Sequence, residues 1–213
     1  MKDKKIFVVL IVLVVLNLFM LYLYNVKMPE LEKKKATSDF NHLNFLYFTA
    51  LEEKDVSYCH NVSLKEFKDF CYLEVATLNK DPQQCYFIKG DMFSQCIISV
   101  AVADLNLDVC EILDEKYDEC YFSTINAIAV DKKDADECER QKTDEERNRC
   151  IQNLAETLED ESFCLVIDDS FIRDTCLFNT AMKTYKQSAC EQISDEKMRQ
   201  GCANLVRFYG PKP

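Results

Sequence analysis

The chain has 213 residues, a formal net charge of −11 and 12 cysteines, but only 3 glycines, 4 prolines and no tryptophan. Its length suits one domain plus a short extra segment. The acidic balance excludes a cationic nucleic-acid surface, and the shortage of turn residues excludes a strand-and-turn fold.

Residues 1–5 carry Lys2, Lys4 and Lys5 and read as a cytoplasmic stub. Ile6 to Tyr24 (IFVVLIVLVVLNLFMLYLY) holds no charge and one strongly polar residue, Asn17. At 1.5 Å per residue it reaches roughly 28 Å, the hydrocarbon thickness of a bilayer. A cleaved signal peptide is the competing reading, but its apolar core is shorter and ends at small residues. This run ends in Leu21-Tyr22-Leu23-Tyr24, with interfacial tyrosines, so a transmembrane signal-anchor helix over 6–24 is expected. Residues 25–37 (NVKMPELEKKKAT) read as a juxtamembrane linker. Lysines flank the span on both sides, so the positive-inside rule does not orient it.

The cysteines do. They stand at Cys59, Cys71, Cys85, Cys96, Cys110, Cys120, Cys138, Cys150, Cys164, Cys176, Cys190 and Cys202. Twelve thiols without zinc-type spacing belong where disulfides persist, intracellular proteins of hyperthermophiles being the exception. Residues 38–213 are therefore expected outside the plasma membrane of a single-pass protein. Residues 1–37 hold seven lysines against three acids, which leaves −15 for the remainder. Such a surface suits basic partners, bound cations or simple solubility, and repels nucleic acid and anionic lipid.

The gaps between cysteines run 12, 14, 11, 14, 10, 18, 12, 14, 12, 14 and 12. A unit of about 26 residues recurs six times, the mark of stacked helical hairpins. In each unit a longer helix meets its cysteine about two turns after a cap. Ser63-x-x-Glu66 and Thr143-x-x-Glu146 are capping boxes, and Asp168 and Ser194 hold the same offset. Along the first long helix Leu64, Phe67, Cys71, Val75 and Leu78 form one face. An alanine follows the cysteine by five (Ala76, Ala101, Ala155, Ala181), as close helix packing requires. The shorter half starts four residues before its cysteine, at Asp55, Asp81 and Asp160, with Lys186 departing from the pattern. Four residues added between Cys120 and Cys138 are expected to form a longer loop.

Residues 38–54 repeat the long-helix pattern with Phe45 where a cysteine would fall, which predicts a capping helix with Phe45 filling core space. This bears on connectivity. If each long helix bonded the next short one, Cys59 and Cys202 would be orphaned. Pairing within each hairpin leaves none over: Cys59–Cys71, Cys85–Cys96, Cys110–Cys120, Cys138–Cys150, Cys164–Cys176 and Cys190–Cys202. Sequence alone leaves the connectivity formally open. A hairpin this small buries too little apolar area to stand alone, and each bond closing such a loop adds roughly 3 kcal/mol.

Catalytic constellations are not found. There is no H-E-x-x-H, G-x-S-x-G, Gly-rich phosphate loop or C-x-x-C, and the histidines are His42 and His60 only. No enzyme and no cofactor is expected. No metal site is expected either, because the cysteines never come in close pairs; the acids Asp131, Asp134, Asp136 and Glu137 lack the EF-hand offsets and read as a solvated loop with helix-capping acids. Asp168-Asp169 reads likewise. Asn61-Val-Ser63 fits a glycosylation acceptor. Tyr58, Tyr72, Tyr86 and Tyr121, all beside cysteines, are expected to pack against the disulfides, or else to line a binding groove.

With units such as CYLEVATLNKDPQQC (71–85) and CIQNLAETLEDESFC (150–164), the chain resembles short α-hairpin solenoids, distantly the tetratricopeptide repeats, although their W-x2-L-G-x2-Y pattern is missing. It is more similar to membrane-anchored, cysteine-rich repeat proteins of archaeal type. The resemblance implies an all-α architecture over residues 38–210 and no activity. The expected role is a membrane-tethered scaffold for protein recognition. The alternative is an accessory or regulatory subunit of a membrane enzyme or transporter, for which Asn17 in the span would be the contact.

Overall fold

A computed structural model describes residues 44–210. The stub, the 6–24 span, the 25–37 linker, His42 and the start of the expected capping helix lie outside the described residues. Among the described residues all regular structure is helical, and no helix is long and apolar enough to cross a membrane. The chain divides into two compact units, residues 1–68 and 69–213.

In the first unit residues 44–53 form helix α1, and Ser57–His60 form α2. Leu46 and Val62 are buried together, with Tyr58 and Phe67 packed against them. Phe45 does not fill core space: it is 63% exposed, while Leu46 and Ala50 one and five positions on are buried. The apolar stripe is thus rotated by one residue from the one predicted, about 100° around the helix. Lys54 takes the left-handed conformation, and Asp55 accepts the N–H of Ser57 at 2.8 Å to open α2.

The long helix α3 (Lys65–Asn79) runs through the boundary at residue 68, and the second unit continues with the long helices α4 (Asp91–Asp104), α5 (Tyr117–Lys132), α6 (Asp144–Leu158), α7 (Ser170–Thr184) and, after the short α8 (Gln187–Glu191), α9 (Glu196–Tyr209). From α4 onward each long helix packs on the next long one. Between α3 and α7 the connections contain 3-10 helices: Pro82–Phe87, Leu107–Ile112, Ala135–Arg140 and Glu161–Val166.

One terminator recurs. Lys80, Leu105, Lys133, Glu159 and Tyr185 each stop a long helix with φ between 55° and 57°. After the first four, the next N–H reaches back to an alanine carbonyl: Asp81 to Ala76, Asn106 to Ala101, Asp134 to Ala129 and Asp160 to Ala155, at 3.0–3.1 Å. This is the six-to-one bond of a Schellman motif. The fully buried alanine therefore allows close packing and also marks the carbonyl that closes the helix. Asp81, Asn106, Asp134 and Asp160 then each accept the N–H two residues on, at 2.9–3.0 Å, and start the 3-10 helix that carries the cysteine. Lys186 offers no such acceptor, and the segment after it is the α-helical α8. Three residues past Cys85, Cys110, Cys138, Cys164 and Cys190, the residues Ile88, Leu113, Gln141, Ile167 and Ile193 donate their N–H to the cysteine carbonyl and are themselves buried.

The long-helix caps fall where predicted at Thr143, whose hydroxyl accepts the N–H of Glu146 at 3.2 Å. In the two later helices they shift by one. Asp169 and Asp195, rather than Asp168 and Ser194, accept the N–H three residues on. A carboxylate at either of two adjacent positions suits a helix start, and Ser194 is engaged elsewhere. Of the face predicted along α3, Cys71 and Val75 are buried and Phe67 is half-buried, whereas Leu64, just before the helix, and Leu78 near its end are 48% and 46% exposed.

The four extra residues before Cys138 do not loop out. They extend α5, which runs 13 residues from Cys120 to Lys133 where the other hairpins take 9. Four residues are little more than one turn, so a helix absorbs them with its buried face nearly unchanged. Ala129 accordingly stands nine residues after its cysteine, at the same place relative to the helix end as the other alanines.

Candidate functional site

Within the second unit the cysteines of each hairpin are bonded to each other: Cys85–Cys96, Cys110–Cys120, Cys138–Cys150, Cys164–Cys176 and Cys190–Cys202. Cys59 and Cys71 are disulfide-bonded as well. All twelve are buried. Bonds in every unit point to an oxidising compartment.

A groove of ≈ 530 Å3 lies beside the lengthened helix α5. One wall is the turn Asp104–Asp108, and the other is formed by Ile128, Lys132 and Arg140. The extra turn of α5 sets its end about 6 Å further from its disulfide than in the neighbouring hairpins, and the groove sits beside this step. Leu105, Leu107 and Ile128 supply apolar surface, and Asp104, Asn106 and Asp108 supply acceptors.

Ion pairs frame the groove. Glu137 accepts Lys132 at 2.5 Å and Arg140 at 2.9 Å. The Lys132 ammonium, then the Arg140 guanidinium, hold its carboxyl below the usual range. Lys80 pairs with Asp104 at 3.5 Å. The junction behind it is stitched to α5: the Tyr121 hydroxyl donates to the Arg140 carbonyl at 3.0 Å, and Gln141 Nε2 donates to the Phe122 carbonyl at 3.2 Å. Lys142 pairs with Asp118 and lies 5.0 Å from the Tyr117 ring centroid.

The other residues singled out from sequence are dispersed. Of the acidic stretch, Asp134 is engaged by the Asp136 N–H and Glu137 by its two cations. Among the described residues no three His, Cys, Asp or Glu side chains are grouped as a metal site. Tyr72 is buried, Tyr58 and Tyr121 are half-buried, and Tyr86 is exposed against Phe93. They do not gather at the groove. Asn61 and Ser63 are exposed, and His60 places Nδ1 3.1 Å from the Val56 carbonyl.

Two features escaped sequence reasoning. Asp174, two residues before Cys176, is buried and accepts the N–H and hydroxyl of Ser194 and the N–H of Asp195. Burial pushes its carboxyl up, but these three hydrogen bonds outweigh it and the net shift is downward. Arg173 and Arg199, three residues before their cysteines, donate to the Ile167 and Ile193 carbonyls of their own hairpins at 3.4 and 3.1 Å. The recurrent arginine offset was the available signal for the second. Asp174 gave none, because its partners are twenty residues away.

No family model, curated protein or solved structure matches the chain.

Proposed function

We propose that the protein is a membrane-tethered scaffold without catalytic activity, whose extracytoplasmic hairpin stack recognises a basic protein partner. In this reading residues 6–24 anchor the chain in the plasma membrane, residues 25–37 are a spacer and residues 38–213 form a solenoid of six units behind an N-terminal capping helix. The observation that carries recognition is the groove beside the lengthened α5, where Asp104 and Asp108 stand with Leu105, Leu107 and Ile128 while Lys132 and Arg140 are held by Glu137. Rigid hairpins support the reading, since a surface that does not reorganise binds without an ordering cost. The net charge of −11 favours encounter with cationic partners.

The test is affinity capture from the native membrane with the oxidised full chain, beside Asp108→Lys and Leu107→Glu forms. A partner retained by the parent and lost by both variants, with unchanged helical circular dichroism, supports the scaffold. Equal capture by all three overturns the groove as its site. Replacing the 6–24 span by an unrelated apolar span must leave capture intact, because a tether contributes position alone.

A further inference from the structure

The last described helix carries an apolar stripe on its outward face. On α9 Lys197, Gly201, Leu205 and Phe208 follow one another at helical spacing and share one outward face. Leu205 is 37% exposed, Phe208 76% and the adjoining Tyr209 61%. The corresponding positions of α6, three and six residues past the cysteine, are the polar Asn153 and Glu156; in α7 they are Asn179 and Met182. Nothing lies within 4 Å of where a Cβ on Gly201 would stand, so no packing inside the described residues asks for glycine there. In mid-helix glycine costs about 1 kcal/mol against alanine.

Charge changes sign at the same place. Residues 183–213 hold six lysines and arginines against three acids, in a chain that is otherwise strongly acidic. Arg207 adjoins Phe208, Lys197 heads the stripe, and Tyr185, 44% exposed, sits beside Gly210 at the helix end. Leucine and aromatic side chains rimmed by arginine and lysine are the composition of a helix that lies in a lipid headgroup layer. An acidic body is repelled by anionic lipid, so this end is the part of the second unit that such a surface attracts.

We infer that α9 docks on an anionic lipid surface, with Leu205, Phe208 and Tyr209 entering the headgroup region and Lys197 and Arg207 pairing with lipid phosphates. The inference stands apart from the tether: it concerns a second, reversible contact made by the far end of the chain.

The absence of tryptophan makes the test direct, because one introduced indole is then the sole such emitter. Full-length Phe208→Trp is reconstituted with vesicles of phosphatidylcholine alone or mixed with phosphatidylglycerol. Phe171→Trp, at a site 71% exposed on α7, is the control. Flotation with the neutral vesicles reports the 6–24 anchor, whereas indole emission from the F208W form reports α9, so the two ideas can fail separately. The expected result for F208W is a shift of emission to shorter wavelength, with quenching by brominated lipid, in anionic vesicles only. The F171W form should not respond. Adding Arg207→Gln to F208W should lower the docked fraction about fivefold, the effect of removing one cation near a charged bilayer. Water-exposed emission from F208W in anionic vesicles overturns the inference. So does a shift that depends on protein concentration in lipid-free micelles, which would mean that a second copy covers the stripe.

Discussion

Asp174 and Ser194 are joined by two hydrogen bonds, Oδ1 accepting the serine N–H at 3.0 Å and Oδ2 its hydroxyl at 2.7 Å. With the Asp195 N–H, a single buried carboxylate of α7 thus holds the loop that enters α9. Asp174→Ala removes the acceptor and leaves those donors to water or to nothing, at a cost of about 1–3 kcal/mol. Urea unfolding followed by circular dichroism measures the loss; a change within a few tenths of a kcal/mol would show that the loop holds itself.

The same carboxylate sets a pH dependence. Asp174, Asp160, Glu161 and Glu137 all have folded values below their ordinary ones. For Asp160 the chief cause is the Ser162 side chain, and for Glu161 the Ser188 hydroxyl. Depressed acids stabilise the fold fully above their unfolded values, near 4, and this is lost as pH falls through the folded ones. Melting temperature should therefore hold from pH 7 to 5 and drop below about pH 4. The gap between the parent and Asp174→Ala should narrow over the same window.

Glu74 behaves in the opposite sense. Burial alone raises its carboxyl above the usual value, so its neutral form is favoured in the folded chain and stability falls as pH rises past about 4. Glu74→Gln should match the parent at pH 3 and melt higher at pH 7. A lower melting temperature at pH 7 would reveal a partner for the charge.

The five left-handed terminators of the second unit are all residues other than glycine, and Glu159 is typical, exposed with φ 57°. Side chains cost about 1–2 kcal/mol in this region, while glycine gives back part of that gain through its freer unfolded chain. Glu159→Gly should stabilise by up to about 1 kcal/mol, and Glu159→Val should destabilise, as read from thermal melts. Equal melting of the two would show that the turn is not fixed in this conformation.

Hairpin bonds make a further difference. Replacing both Cys164 and Cys176 by serine should cost about 3 kcal/mol, the value for closing a loop of this length. Strong reductant should abolish the helical signal. Helicity that survives reduction would mean that stacking alone sustains the fold.

What could be read beforehand follows from how far each interaction reaches. The hairpin period, the Asp81 and Asp160 caps and the alanine positions depend on neighbours within a few residues, and spacing exposes them. The terminators were hidden, because glycine is the usual sign of a left-handed residue and Lys80, Leu105 and Tyr185 give no hint of one. The rotated stripe that exposes Phe45 was missed because apolar spacing of three and four fits two adjacent faces equally well, and the exposure of Leu64 and Leu78 at the two ends of a face whose centre is buried depends on tertiary packing. The added residues before Cys138 were visible as a number, but whether they coil or loop depends on tertiary packing. The groove was hidden for the same reason, since Asp108 and Arg140, far apart in sequence, come to line it only through tertiary packing.

Each bond of the second unit joins cysteines only 10 to 12 residues apart. A chain emerging from a ribosome or a translocation pore can therefore lock one hairpin before the next has appeared. No thiol has to wait for a distant mate, and a wrong partner must come from a module already sealed or not yet made. Correct oxidation becomes a matter of order of arrival, so the twelve sulfurs pose far less of a sorting problem than their number suggests.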